Sequence, residues 1–244
     1  MGNNMNILGA LHKKIEKIIE DEKVLSVLLI GSAAELEKEE EFNTLKDIDL
    51  FVITDEEYEF EREVMPIEDV LFDISYMSFN TFKNSIVEGI PFLINSLQSY
   101  KIIYNNINKE LKELLDKIKI IYGNGPKKFQ EDDIEYIRFK FYQDLEDIYS
   151  RKKDVVNTKF LMNSLFYNIL NSYFKLAGYW VPKDKKLLKN IQKFDDILYN
   201  LSVGFIEEED FNVKLKNLKV ILDYVLKPYG GVNKFWKRKK FPLI

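Results

Sequence analysis

Two aspartates stand one residue apart at the start of an otherwise apolar run. The segment LKDIDLFVIT, residues 45 to 54, carries them as Asp47 and Asp49. Because side chains alternate along a strand, both carboxylates share a face with Phe51 and Ile53. Two like charges about 7 Å apart raise each other's pKa and lose part of their hydration. The pattern therefore predicts a cation beside the acids, and carboxylate oxygens are ligands that a hard divalent ion prefers.

The elements that position these acids are three buried β-strands. The continuous apolar run VLSVLLI and the alternating runs DIDLFVIT and DVLFDISYMS predict the strands, and an amphipathic helix over 8–21 precedes the first of them. The polar stretch 55–69 is interpreted as a surface excursion. Residues that could bind phosphate or a metal ion lie on or directly after all three strands. They are Gly31 and Ser32 after the first strand, Asp47 and Asp49 on the second, and Asp73 on the third.

This combination resembles the nucleotidyltransferase fold of the DNA polymerase beta superfamily. The pattern of that superfamily is an apolar residue, Gly, Gly or Ser, a spacer, then Asp, an apolar residue and Asp or Glu, with a third acid on a later strand. The spacer 33–46 is slightly long, and Lys46 stands where Ser is frequent. The matching residues are Ile30, Gly31, Ser32, Asp47, Ile48, Asp49, Leu50, Phe72, Asp73 and Ile74.

The resemblance implies a magnesium-dependent nucleotidyltransferase. Asp47, Asp49 and Asp73 would be catalytic and would hold two Mg²⁺ ions. Two ions about 3.5–4 Å apart neutralise phosphate charge, activate the attacking hydroxyl and align it with the leaving group. Gly31 and Ser32 are implied to bind the triphosphate of a nucleotide such as ATP. They would do so at the start of a following helix, where free N–H groups favour anions.

The rest of the chain predicts helices. From residue 79 onward the apolar residues follow helical spacing. We therefore predict an α/β plus all-α architecture: a small mixed-sheet nucleotidyltransferase domain over 1–104, a helical bundle over 105–230 and a basic tail over 231–244. Two of the predicted core stripes are Ile134, Ile137, Phe141, Leu145 and Ile148, and Met162, Leu165, Phe166, Ile169, Leu170, Tyr173 and Phe174.

The helical half gives a looser resemblance to the bundles of aminoglycoside nucleotidyltransferases of the kanamycin type. It rests on LAGYWVPKDKKLL, residues 176 to 188. The resemblance implies that the acceptor is a hydroxyl of a small molecule such as an aminoglycoside antibiotic, a role in antibiotic resistance, and pairing as a homodimer. Candidate general bases are Glu88, Glu135 and Asp144, each with a solvated surface charge as the alternative.

Lysines after the segment YWVP are candidates for contact with the triphosphate or the leaving pyrophosphate. Their alternative is a lysine-rich helix start on the surface. They are Lys183, Lys185 and Lys186.

Composition limits the other functions. The chain has no Cys, so disulfides, thiolate metal sites and cysteine nucleophiles are excluded, and its single histidine, His12, lies on a Lys-rich surface pattern. No apolar run reaches the length of a membrane span and the first residues show no signal-peptide core, so we expect a cytoplasmic protein.

Charge argues against a general nucleic-acid partner. The net charge is -4, and without the basic tail it is about -9. The tail itself interleaves aromatic and cationic residues, which would suit RNA, although a lysine-rich frayed terminus is the alternative. Nucleotidylation of a protein or RNA, and a catalytically silent nucleotide-binding protein, therefore stay open. The tail cations are Lys234, Lys237, Arg238, Lys239 and Lys240.

Overall fold

The computed structural model describes residues 7–67 and 70–238. The chain divides into two compact units between Asn124 and Gly125. The predicted boundary between residues 104 and 105 therefore falls inside the first unit. Lys239 and Lys240 of the predicted tail lie outside the described residues.

The first unit is built on a five-stranded mixed sheet with the order β3-β4-β2-β1-β5. Strands β2 and β4 are parallel, and the other neighbouring pairs are antiparallel. The prediction of a small mixed-sheet domain is thereby confirmed. The strands are β1 (Val24–Ile30), β2 (Asp47–Thr54), β3 (Phe60–Ile67), β4 (Val70–Ser78) and β5 (Tyr100–Asn105). The helices of this unit are α1 (Ile7–Ile19), α2 (Phe79–Glu88), α3 (Pro91–Ser96) and α4 (Lys109–Asn124).

The two outer strands were not among the predicted ones. The stretch 55–69, interpreted as a surface excursion, contains β3, and β5 lies in the region interpreted as helical. Both strands are at a sheet edge, so each has a neighbouring strand on one side only. Their side chains do not separate clearly into an apolar face and a polar face. Pro66 lies at an edge strand, the position in a sheet that tolerates proline.

The central strands are buried on both faces, as their apolar runs predict. One face, with Ile48 and Leu50, packs in the same core as Leu11 and Ile15 of α1. On the other face Phe51 contacts Phe82 of α2, with ring centroids 5.9 Å apart. The alternation predicted for β2 is therefore confirmed: the odd-numbered positions that include Asp47 and Asp49 face away from α1.

The second unit is helical, which confirms the predicted bundle. Its core is formed by the predicted stripes, with Phe141, Leu145 and Ile148 buried from one helix and Met162 and Ile169 among those buried from the next. None of the helices in the described part of the chain has the length and apolar character needed to cross a membrane. The helices are α5 (Glu131–Ser150), α6 (Val155–Leu176), α7 (Leu187–Phe194), α8 (Asp196–Glu207) and α9 (Phe211–Leu226).

The described part of the basic tail is attached to α5. The ring of Trp236 stacks on Phe139 at a centroid distance of 6.0 Å and meets Tyr136 edge-on at 5.3 Å. Arg138 of the same helix donates from Nε to the carbonyl of Gly231, at 2.5 Å. Ring contacts and a charged hydrogen bond therefore hold this segment, which corrects the interpretation of a frayed terminus for these residues.

Candidate functional site

The three predicted acids lie on one face of two neighbouring strands. Asp49 of β2 is the register partner of Asp73 of β4, and it also pairs with Ile30 of β1. Asp47 pairs with Leu71, two residues nearer the start of β2. Because register partners on adjacent strands about 4.8 Å apart carry their side chains on the same face, Asp49 and Asp73 are direct neighbours. All three acids are partly buried.

The structure places a cation at Asp73, whereas the sequence predicts one beside Asp47 and Asp49. This cation is an arginine. Arg62 of β3 donates from Nε to Oδ1 at 2.7 Å and from an Nη atom to Oδ2 at 2.5 Å. The hydrogen bonds and charge of Asp73 raise the pKa of Arg62, and the charge of Asp49 adds to this rise. The guanidinium is thus the counter-ion of Asp73, and it also interacts electrostatically with the carboxylate of Asp49.

Gly31 lies directly against Asp49. Its φ of +68° is in the left-handed region, and a Cβ added there would stand 2.4 Å from Oδ2 of Asp49. The backbone conformation therefore favours glycine, and an added Cβ would displace the carboxylate end of Asp49. The turn that follows Ile30 and the carboxylate of Asp49 form one packed unit.

Ser32 follows in the same turn, and its side chain is exposed. The predicted short helix begins at this turn, but it is a 3₁₀ helix of five residues, Gly31–Glu35. A single 3₁₀ turn has almost no summed dipole, because few peptide units align. Any attraction for phosphate must come from local N–H groups and the hydroxyl of Ser32.

The donor chemistry of the acids fits a divalent ion only in part. Asp47 and Asp49 share a face and offer the carboxylate oxygens that Mg²⁺ prefers. Across residues 7–67 and 70–238, however, no three His, Asp or Glu side chains are grouped as a metal site. Both oxygens of Asp73 accept from Arg62. The metal-binding and catalytic roles of the three acids stay predictions.

The other predicted site residues are dispersed over the two units. Glu88 is exposed at the end of α2, in the first unit. Glu135 and Asp144 are on α5 in the second unit, where Asp144 pairs with Lys140. His12 is exposed on α1, as expected for a surface histidine. The lysines predicted to contact phosphate are all exposed in the second unit, at Lys183, Lys185 and Lys186.

Arg62 is the site residue that the sequence analysis missed. It lies in β3, which was not predicted as a strand, so nothing placed it next to Asp73. One signal was present: Arg62 is the single basic residue in the acidic stretch 55–69. A lone cation among acids, next to an unexplained pair of acids on a strand, points to an ion pair.

Comparisons with known proteins support the fold. No protein-family model and no curated protein matches the chain. Solved structures do match, and one of them is described as a nucleotidyltransferase-like protein from Exiguobacterium sibiricum 255-15. It aligns with a TM-score of 0.53 at 12% sequence identity, over 90% of this chain and 74% of that one. At this identity the likeness shows the fold alone: a small mixed-sheet domain followed by helices.

Proposed function

We propose that the protein transfers a nucleoside monophosphate from a nucleoside triphosphate, such as ATP, to a hydroxyl of a small molecule, with Mg²⁺ as cofactor. One observation carries the proposal. Asp49 is the register neighbour of Asp73 and is packed against the Gly31 turn, in a fold similar to that of a nucleotidyltransferase-like protein. This arrangement supports a site where carboxylates hold a metal ion next to backbone groups that face phosphate.

In this proposal Asp47 and Asp49 would hold the divalent ion. Asp73 would become a third ligand of the ion when Arg62 no longer pairs with Asp73. Bound Mg²⁺ supplies charge neutralisation at the phosphate oxygens and lowers the pKa of the acceptor hydroxyl. Gly31 keeps Asp49 in place, because the turn and the carboxylate are in contact. The exposed hydroxyl of Ser32 is available to donate to a phosphate oxygen.

A small acceptor is favoured over RNA by the net charge. The state of the tail does not decide between them, because Trp236 is packed on Phe139 and Tyr136 whereas the neighbouring Phe235 is 80% exposed. The net charge of -4 repels a phosphate backbone and attracts cationic molecules. Aminoglycosides combine positive charge with several hydroxyls, so they are the first acceptor class to test.

The test is a product screen by mass spectrometry. The protein is incubated with each nucleoside triphosphate, Mg²⁺ and a panel of aminoglycosides and neutral polyols. The expected result is a small molecule heavier by one nucleoside monophosphate. A mass gain on protein or RNA from a lysate would instead move the acceptor to that class. Nucleotide binding without any product would indicate a silent protein.

Two aspartates at opposite ends of β2 give a matched pair of variants for this screen. Asp49→Asn should lower transfer by more than about 100-fold, because a metal ligand contributes several kcal/mol to the transition state. Asp55→Asn removes an exposed carboxylate one residue beyond the same strand and should retain activity. Thermal melts should show that Asp49→Asn still folds cooperatively, since the amide has nearly the same size and shape as the carboxylate. Full activity in Asp49→Asn would refute the site.

A further inference from the structure

The ion pair between Arg62 and Asp73 has a geometry that can open. Both carboxylate oxygens accept from one guanidinium, so the pair is bidentate. The two side chains differ in exposure, however: that of Arg62 is 57% exposed and that of Asp73 is 22% exposed. The arginine comes from an edge strand and its side chain is largely hydrated, so solvent weakens the pair and the guanidinium can exchange its partner.

The guanidinium also lies in the electrostatic field of the proposed metal site. Asp73 is its hydrogen-bond partner, and Asp49 is the register neighbour of Asp73 on the same face. A divalent ion bound to Asp49 would therefore stand near the positive charge of Arg62. The two positive charges would repel each other, and the repulsion is stronger where water is partly excluded.

We propose that Arg62 is the resident counter-cation of the site, and that it opposes a bare divalent ion but favours a metal–triphosphate complex. This inference rests on the proposed function. A bare Mn²⁺ or Mg²⁺ carries two positive charges, whereas its complex with a nucleoside triphosphate carries about two negative charges. The sign of the interaction with Arg62 therefore reverses between the two ligands. A guanidinium released from Asp73 can also bind a phosphate bidentately.

The proposal predicts that metal binding depends on whether the nucleotide is bound. Without nucleotide, Arg62 holds Asp73 and keeps the acids balanced, so the metal binds weakly. With nucleotide, phosphate replaces Asp73 as the partner of Arg62, and Asp73 becomes available to the metal. Arg62 is thus a positioning residue that couples metal binding to the triphosphate.

The test is a pair of binding titrations on the full-length protein. One measures Mn²⁺ alone, by the loss of the electron paramagnetic resonance signal of free Mn²⁺. The other measures the Mn²⁺ complex of an α,β-methylene nucleoside triphosphate, by calorimetry. The variants are Arg62→Gln, which keeps an amide donor for Asp73, Arg62→Met, and Arg62→Lys, which keeps the charge.

A second ion pair of the same unit provides the control. Lys23 donates to Glu56 at 2.8 Å, with side-chain exposures of 61% and 31% that are close to those of the Arg62 pair. Lys23→Met removes a comparable exposed cation that is not hydrogen-bonded to the predicted acids. It should leave both affinities unchanged. A general effect of net charge would move both ligands in this control as well.

Opposite changes for the two ligands are the expected result. Arg62→Gln and Arg62→Met should bind Mn²⁺ alone about tenfold more tightly and its triphosphate complex about tenfold more weakly, which corresponds to about 1.4 kcal/mol in each direction. Arg62→Lys should stay close to the parent for Mn²⁺ alone. It should bind the triphosphate complex more weakly than the parent but more tightly than the neutral variants, because an ammonium keeps the charge and loses the bidentate geometry. The effects should also shrink in high salt.

The proposal is overturned if the neutral variants change both affinities in the same direction, or change neither. The proposed function fails in a different way: neither ligand then binds to any variant, or Asp49→Asn binds them like the parent. The two failures therefore give different patterns in the same titrations.

Discussion

Replacing Gly31 by alanine tests whether the turn after β1 fixes the position of Asp49. The glycine has a φ of +68°, and an added Cβ would stand 2.4 Å from Oδ2 of Asp49, whereas Cβ contacts under 3.0 Å are essentially never found. The substitution therefore does more than strain the backbone. Either the carboxylate or the turn must move by at least about 0.6 Å to restore contact.

The size of the effect can be divided into two terms. The left-handed conformation costs an alanine about 1–2 kcal/mol. Overpacking of a well-filled contact adds about 1–3 kcal/mol. We therefore expect Gly31→Ala to lower the free energy of unfolding by roughly 2–5 kcal/mol.

Gly89 separates the two terms. It ends α2 with a φ of +67°, almost the same as that of Gly31, but an added Cβ there would meet nothing within 4 Å. Gly89→Ala should therefore lose only the free energy that the left-handed backbone conformation costs an alanine. The difference between the two alanine variants, about 1–3 kcal/mol, is the free energy of the contact with Asp49.

The assay is urea unfolding followed by circular dichroism, in buffer without divalent ions. The same substitution is then made in an Asp49→Ala background, where the carboxylate is gone and the excess cost of Gly31→Ala should disappear. If the two glycine variants differ by less than about 0.5 kcal/mol, or if the excess survives without the carboxylate, the turn does not position Asp49.

Two further predictions concern contacts outside the acids. Trp236→Ala should lower the free energy of unfolding by about 1–2 kcal/mol, because stacking on Phe139 is lost. The same variant should speed proteolysis of the tail, and an unchanged digestion rate would contradict the attachment to α5. Glu63→Gln tests an ion pair: the hydrogen bond from Lys14, at 2.9 Å, lowers the pKa of Glu63. The pair's stabilisation, below about 1 kcal/mol, should be present above the ordinary carboxyl pKa and lost as the pH falls through the lowered one, so the melting difference between parent and variant should vanish in acid.

The position of the acids could be predicted from the sequence because it follows from local rules. Strand alternation alone places Asp47 and Asp49 on one face, and the apolar runs of β1, β2 and β4 identify buried strands. The register of β2 with β4 then makes Asp49 and Asp73 neighbours. The core stripes of the second unit follow in the same way from helical spacing. Most of their residues are buried, Ile137 and Tyr173 are partly buried against the core, and Ile134 lies outside the core cluster.

The edge strands could not be predicted by the same rules. Most of β3 is exposed, so its sequence FEREVMPI shows no apolar face, and its two acids suggest a loop. The short β5 is also largely exposed. A strand of this kind is determined by the neighbour that offers it hydrogen bonds, which is information about the whole sheet.

The missed strand explains why the sequence predicts a cation but not its identity. Charge balance around partly buried carboxylates requires positive charge, and either a metal ion or a guanidinium supplies it. Choosing between them requires the register of β3, which brings Arg62 within 2.7 Å of Asp73. If the two cations exchange, as we propose, the metal-free and loaded states each satisfy the acids with a different partner. The arginine is then part of the nucleotide site, because only the charge of the triphosphate makes its departure from Asp73 favourable.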